Sequence, residues 1–265
     1  MAINEITITT LGELIDLVTP ELPDPKSGRR RDSGVYRGSF DASSPLLTSL
    51  DKLGGASSPH AKRDLEEHIL RNFIRYSRPY VGGEPSNEWE YLISAQHHGV
   101  PTRLLDWSYS PLVATFFATR PHAVERDRAI WRLDWQMLHE TFGFPRVSLL
   151  TSDLDRLLGD EKHFTPWQLF QSRDGGRPFA CLLEPPSLDN RIVAQAACFT
   201  LSNDTTRSLD RFLMDHGLEG ALAKYVIPQR EVPHIRDQLD LVGLDERRLF
   251  PDLDGVAASL VRYYA

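Results

Sequence analysis

Cysteine is almost missing from this chain: Cys181 and Cys198 are the two present among 265 residues. Two thiols cannot build a disulfide framework or a multi-cysteine zinc centre, and they suit a reducing compartment. No apolar run reaches the length of a membrane-spanning helix. Basic residues are in the minority, 30 Lys and Arg against 37 Asp and Glu, for a net charge of −7. That balance argues against general binding to nucleic-acid phosphates and leaves room only for a local basic groove. The first 25 residues carry five carboxylates and neither Lys nor Arg, unlike a secretory signal. The expectation is a soluble, cytoplasmic protein with no membrane partner.

The common fingerprints are absent too. There is no GxxxxGK[ST] to cradle phosphates, no GxGxxG for a dinucleotide, no GxSxG nucleophile turn and no HExxH. His97 and His98 are adjacent, so on a helix they diverge by about 100° and rarely share an ion. No metal site is expected.

What is present is an ordinary globular composition, 41% hydrophobic and 25% charged. The pattern predicts a strand at Ile3–Ile8, a helix from Thr10, a basic loop at Lys26–Gly34, and a short strand at Val35-Tyr36 closing on Arg37-Gly38. Residues 39–59 read as irregular. Helices follow at Ala61–Tyr76, with Leu65, Ile69, Phe73 and Tyr76 on one stripe, and after Ser86, carrying Trp89, Leu92, Ile93 and Gln96. A strand at Thr102–Ser108 leads to a helix capped by Ser110-Pro111 and ending by Arg120. Further strands are expected at Ala129–Leu133, Phe179–Leu183, Arg191–Thr200 and Lys224–Ile227. Helices are expected at Gln136–Thr141, Asp153–Leu158, Pro166–Gln171, Thr206–His216, Pro233–Leu239 and Leu253–Tyr263. The fold class is α+β, helices mostly early and strands mostly late.

One stretch concentrates polar groups in an apolar setting: QHHGVPTRLLDWSYSPLVATFFA, residues 96–118. On a regular strand Thr102, Leu104, Asp106 and Ser108 share one face, and Arg103, Leu105 and Trp107 the other. A buried Asp and Ser need partners, whether in a site or in a structural network.

Tyr36-Arg37-Gly38, then Gln96-His97-x-Gly99-x-Pro101-Thr102-Arg103-Leu104-Leu105-Asp106-Trp107, resembles the FRG domain family, named for its Phe/Tyr-Arg-Gly triplet. Arg191-Ile192-x-Ala194-Gln195 through Phe199-Thr200, and Leu249-Phe250-Pro251-Asp252-Leu253, extend the likeness. It spans about residues 30–260 of a single domain, 1–265, with residues 1–29 as an N-terminal extension. The family usually has Gly where Ala197 stands.

The resemblance implies a mixed sheet with flanking helices like that of ADP-ribosyltransferases. It also implies NAD as substrate, and an unidentified protein or nucleic-acid acceptor in a toxic, defensive or signalling setting. By order of elements, Arg37 falls on the family's early arginine, Ser108 on its hydroxyl residue, and Gln195 where a catalytic Glu usually stands. The resemblance thus implies Asp106, Gln195 and Arg37 as catalytic residues. It implies Arg37, Gly38, Ser108, His97, Thr102, Arg103, Tyr36 and Arg191 around the NAD. Arg37 suits a bidentate hold on pyrophosphate, and Gly38 permits close approach or merely ends the strand. Ser108 binds the nicotinamide amide or a ribose, or caps the following helix. Asp106 stabilises the ribosyl cation, or pairs structurally with Arg103 or a histidine. His97 contacts ribose or is an interior histidine, Tyr36 and Trp107 stack or are core, and Arg191 shares a strand face with Gln195. The alternatives to transfer are a non-catalytic binding module and an NAD glycohydrolase.

Overall fold

The computed structural model describes residues 3–264 except Lys26, 54–58, 81–86, Val124, 159–177 and Leu188. The expected helix at Pro166–Gln171 lies outside the described residues, as does the loop before Ser86. Seven strands are described: β1 Asn4–Thr7, β2 Gly34–Ser39, β3 Leu105–Ser108, β4 Arg128–Asp134, β5 Ala180–Leu183, β6 Ala197–Ser202 and β7 Leu222–Ile227. They form one mixed sheet in the order β1-β7-β4-β2-β3-β6-β5, parallel at β1–β7 and antiparallel elsewhere. The class is α+β, but strands and helices interleave along the chain rather than separating into early and late blocks.

Alternation at period two divides the core. Val35, Trp107, Trp131, Leu133, Leu182 and Cys198 point to one face, covered by α6 (Trp135–Phe142) and α9 (Leu209–Asp215). On the opposite face two separate clusters form. Tyr36, Ile130 and Tyr225 pack under α1 (Leu11–Val18), α5 (Pro111–Thr119) and α10 (Val232–Leu241). Cys181, Leu183, Phe199 and Leu201 pack under α3 (Pro59–Ser77), α4 (Glu88–His97) and α7 (Thr151–Leu158). The seam between these two clusters is where the sheet's second face stays open.

Local chemistry explains most boundaries. Ser110 accepts from Val113 N with Pro111 in the first turn, so α5 starts where the cap dictates. Residues 39–59 are not wholly irregular: Thr48 and Asp51 form a reciprocal capping box on α2 (Ser49–Lys52). On α3 the inward face is turned by one residue from the expected stripe. Glu66 and Leu70 are buried, whereas Tyr76 is exposed.

The largest correction concerns residues 191–200. They do not form one strand: Asn190–Ala194 is a short helix, α8, capped by Asp189, and the strand starts only at Ala197. Ala196, at φ 45°, makes the corner between them. The β-branched pair Ile192-Val193 imitates a strand, but Asp189 accepts from Ile192 N at 2.9 Å and fixes a helical turn. Two further helices close the chain, α11 (Glu246–Leu249) and α12 (Leu253–Tyr264). Among the described residues no helix is long and apolar enough to cross a membrane.

Candidate functional site

β2 and β3 pair through one residue pair, Tyr36 with Ser108, and then part. A cleft of about 330 Å³ opens there, over the seam of the second face. That size is within the usual range for small-molecule sites. Strands β2, β3 and β6 form its floor; α4, α5, α8 and Phe250 form its walls.

Arg37 crosses the gap. Its Nη1 donates to the backbone carbonyl of Asp106 at 2.6 Å and stands 3.6 Å from the carboxylate Oδ2. The Asp106 side chain is 56% exposed and supplies the single carboxylate among the described lining residues. It is nevertheless held: Gln96 Nε2 donates to Oδ2 at 2.9 Å, and Thr102 Oγ1 donates to Gln96 Oε1 at 2.6 Å. Thr102 is pinned in turn by Ser49, whose hydroxyl takes the Thr102 N–H. An amide with its oxygen committed to a hydroxyl must present its NH2 to the carboxylate, so the relay sets which way Gln96 faces.

Burial pushes the Arg37 guanidinium below its usual pKa, with Asp106 opposing the shift. Burial, then repulsion from Arg37, lowers the Lys52 ammonium as well. His97 pairs with Asp189, yet burial outweighs that attraction and holds the imidazole below its ordinary value.

Eight of the expected site residues line this cleft: Asp106, Gln195, Arg37, Gly38, Ser108, His97, Tyr36 and Arg191. Thr102 and Arg103 do not. Thr102 acts through Gln96. Arg103 is buried and bound to Glu66, with Nε at 2.7 Å from Oε2 and the backbone N at 2.8 Å from Oε1. Arg191 and Gln195 do stand together, four apart on a helical turn rather than two pleats apart on a strand.

Several of the eight are already occupied. Ser108 Oγ donates to the carbonyl of Gln195 at 2.7 Å and accepts from Ser110 N, which ties β3 to the α8–β6 corner. Gln195 Nε2 donates to the carbonyl of Leu249 at 3.0 Å. Arg191 Nε donates to Asp252 at 2.8 Å, and its guanidinium lies over the Phe250 ring. The Tyr36 hydroxyl donates to Asp32, which also holds Arg132. Trp107 Nε1 donates to Thr200, placing the indole in the core rather than over a ligand.

Gly38 has a packing reason: a Cβ there would stand 2.2 Å from the carbonyl oxygen of Ala114 on α5. The triplet's glycine lets α5 lie against β2.

Reading the sequence by residue type missed the roles of Gln96, Phe117, Phe250 and Asp189. Phe117 and Phe250 form an apolar wall, edge to face. Asp189 was detectable as a cap three residues before Ile192. Gln96 heads the polar stretch at 96–118, but nothing local in the sequence signals that its amide holds Asp106.

Neither the curated proteins nor the solved structures contain a match to the chain. Residues 32–127 match the family model of the FRG domain, which takes in β2, the Gln96–Trp107 block and α5 but not Arg191, Gln195 or Phe250. The FRG family is therefore shown for residues 32–127, about a third of the chain.

Proposed function

We propose that the cleft binds NAD and that the protein is an NAD-dependent ADP-ribosyltransferase-like enzyme acting on a macromolecular acceptor. The observation carrying this reading is the Asp106 carboxylate, half exposed in the cleft, steadied by Gln96 and placed beside Arg37. In such a transfer the bond between ribose C1′ and the nicotinamide nitrogen breaks, and its electron pair leaves with nicotinamide. The acceptor's nucleophilic atom bonds C1′ and gives its proton to solvent. The ribose passes through a cation-like state, which a fixed carboxylate stabilises without reorganising. Arg37, which lines the cleft, provides the positive charge that a pyrophosphate requires. The aromatic wall of Phe117 and Phe250 offers apolar contact to a ring.

Gln195 favours a second reading. An amide cannot carry negative charge, and its nitrogen is committed to Leu249. A protein that binds NAD or a partner without turnover fits that feature. Incubating the purified chain with NAD labelled in its ADP-ribose half, together with cell extract, separates the readings. Label on macromolecules supports transfer. Free ADP-ribose alone means hydrolysis, and no turnover means binding only.

A further inference from the structure

The C-terminal helix α12 is amphipathic the wrong way round. Its polar and small residues, Gly255, Ser259 and Arg262, face the protein: Gly255 is buried and Arg262 donates to Asp240 at 2.5 Å. Its apolar residues face solvent. Leu253, Val256, Ala257, Leu260, Val261 and Tyr264 recur at helical spacing on one stripe, and each is exposed, Leu253 at 85% and Val261 at 71%. A helix stripe of this kind ordinarily lies against a core.

We propose that this stripe is the dimer interface of the protein, packed antiparallel against the same helix of a second copy. The stripe is symmetric about a point between residues 258 and 259. A two-fold axis there sets Leu253 opposite Tyr264, Val256 opposite Val261, and Ala257 opposite Leu260. Large residues meet small ones at the centre, as a self-complementary interface requires. The six residues of the stripe expose roughly 650 Å² per chain, at the lower end of the about 600–1,000 Å² that each partner contributes to a standard interface. The six residues of the stripe are uncharged; the exposed Asp254 flanks it and falls opposite Tyr263 under the two-fold, so two copies of an acidic protein meet there without opposing like charges. A membrane surface is the poorer occupant, because interfacial helices carry several Lys or Arg and α12 has only Arg262, already paired.

The inference stands apart from the catalytic reading and is tested by mass. At roughly 50 µM, within reach of micromolar interfaces, sedimentation equilibrium of the full chain should give twice 30.1 kDa. Leu260→Asp should return the monomer with an unchanged circular dichroism spectrum, while Leu260→Met should stay dimeric. Val261→Asp repeats the test should Leu260→Asp lose the native spectrum. A monomeric wild type overturns the proposal, whether or not it cosediments with vesicles of anionic lipid. So does a dimer that survives both Asp substitutions.

Discussion

One guanidinium nitrogen of Arg37 serves both ends of Asp106, donating to its backbone carbonyl at 2.6 Å while standing 3.6 Å from its carboxylate. The side chain thereby spans the gap left where β2 and β3 part, with its outer edge toward the cleft. Removing one charge-assisted contact to a ligand costs about 1.5–3 kcal/mol, at least tenfold in affinity. Arg37→Ala should weaken NAD binding by that factor with the folded spectrum retained, since Arg37 is partly exposed and water can satisfy the freed carbonyl. Titration calorimetry giving equal affinity in variant and wild type would remove Arg37 from the site.

Gly38 faces a different demand. A methyl group there meets the backbone of α5 at Ala114 and Ala118, neither of which can rotate away. Gly38→Ala should cost about 1–3 kcal/mol, the usual range for overpacking. A urea midpoint equal to that of wild type would show that α5 yields freely.

Arg103 and Glu66 make up a buried pair, 3% and 1% exposed, closed by three contacts. Truncating one partner leaves the other charge buried and alone, at a cost of about 3–5 kcal/mol. Glu66→Ala should therefore lose that much stability in denaturant unfolding. A loss under about 1 kcal/mol would reopen Arg103 as a ligand-binding residue.

These residues also mark how far the sequence can be read. Ser110-Pro111 announces α5 because a cap is a local event, complete within four residues. The strand around Asp106 is legible only in part: Leu105 to Ser108 alternate between the two faces of the sheet, but Thr102, Arg103 and Leu104, expected on the same strand, precede it as irregular chain fixed by Ser49 and Glu66. Glu66 was unreadable: a carboxylate on a helix looks like a solvent-facing residue until Arg103, 37 positions on, arrives beside it. The segment at 191–195 misled for the opposite reason, since β-branched residues suit strands on average and one Asp cap overrode them. Within the site, the residue types of Arg37 and Asp106 were visible. The Thr102–Gln96–Asp106 relay was not, because it depends on how α4 meets β3.

His139 provides a pH test. It is fully buried; Leu182 N donates to its Nε2 at 2.8 Å, so the proton sits on Nδ1, which donates to the carbonyl of Pro145. Burial lowers its pKa from the ordinary 6.5. Below that value the unfolded chain takes up a proton that the folded chain refuses, so stability should fall as pH drops through 6.5. His97, shifted the same way, adds to the loss. Unfolding free energies at neutral and mildly acidic pH measure the sum, and imidazole NMR isolates His139. A His139 resonance titrating at or above its ordinary value contradicts the assignment.

The final prediction ranks two substitutions in the cleft. If the ribosyl cation is stabilised by charge, the group must be Asp106, because Gln195 holds no charge and its amide is engaged with Leu249. Asp106→Asn keeps an oxygen that can accept from Gln96, so the relay and the fold survive while the charge disappears. Turnover of NAD should then drop by about a hundredfold or more, the scale of losing one preorganised electrostatic group. Gln195→Ala should act mainly on binding: it frees the Leu249 carbonyl, loosens the segment bearing Phe250, and leaves the charge at Asp106 in place. Gln96→Ala falls between the two, since it leaves the carboxylate charged but free to rotate, and should lower kcat more than it raises KM. Single-turnover rates on the three variants order them. Turnover that persists in Asp106→Asn and vanishes in Gln195→Ala would reverse the two roles, and a misfolded Asp106→Asn would show the carboxylate to be structural.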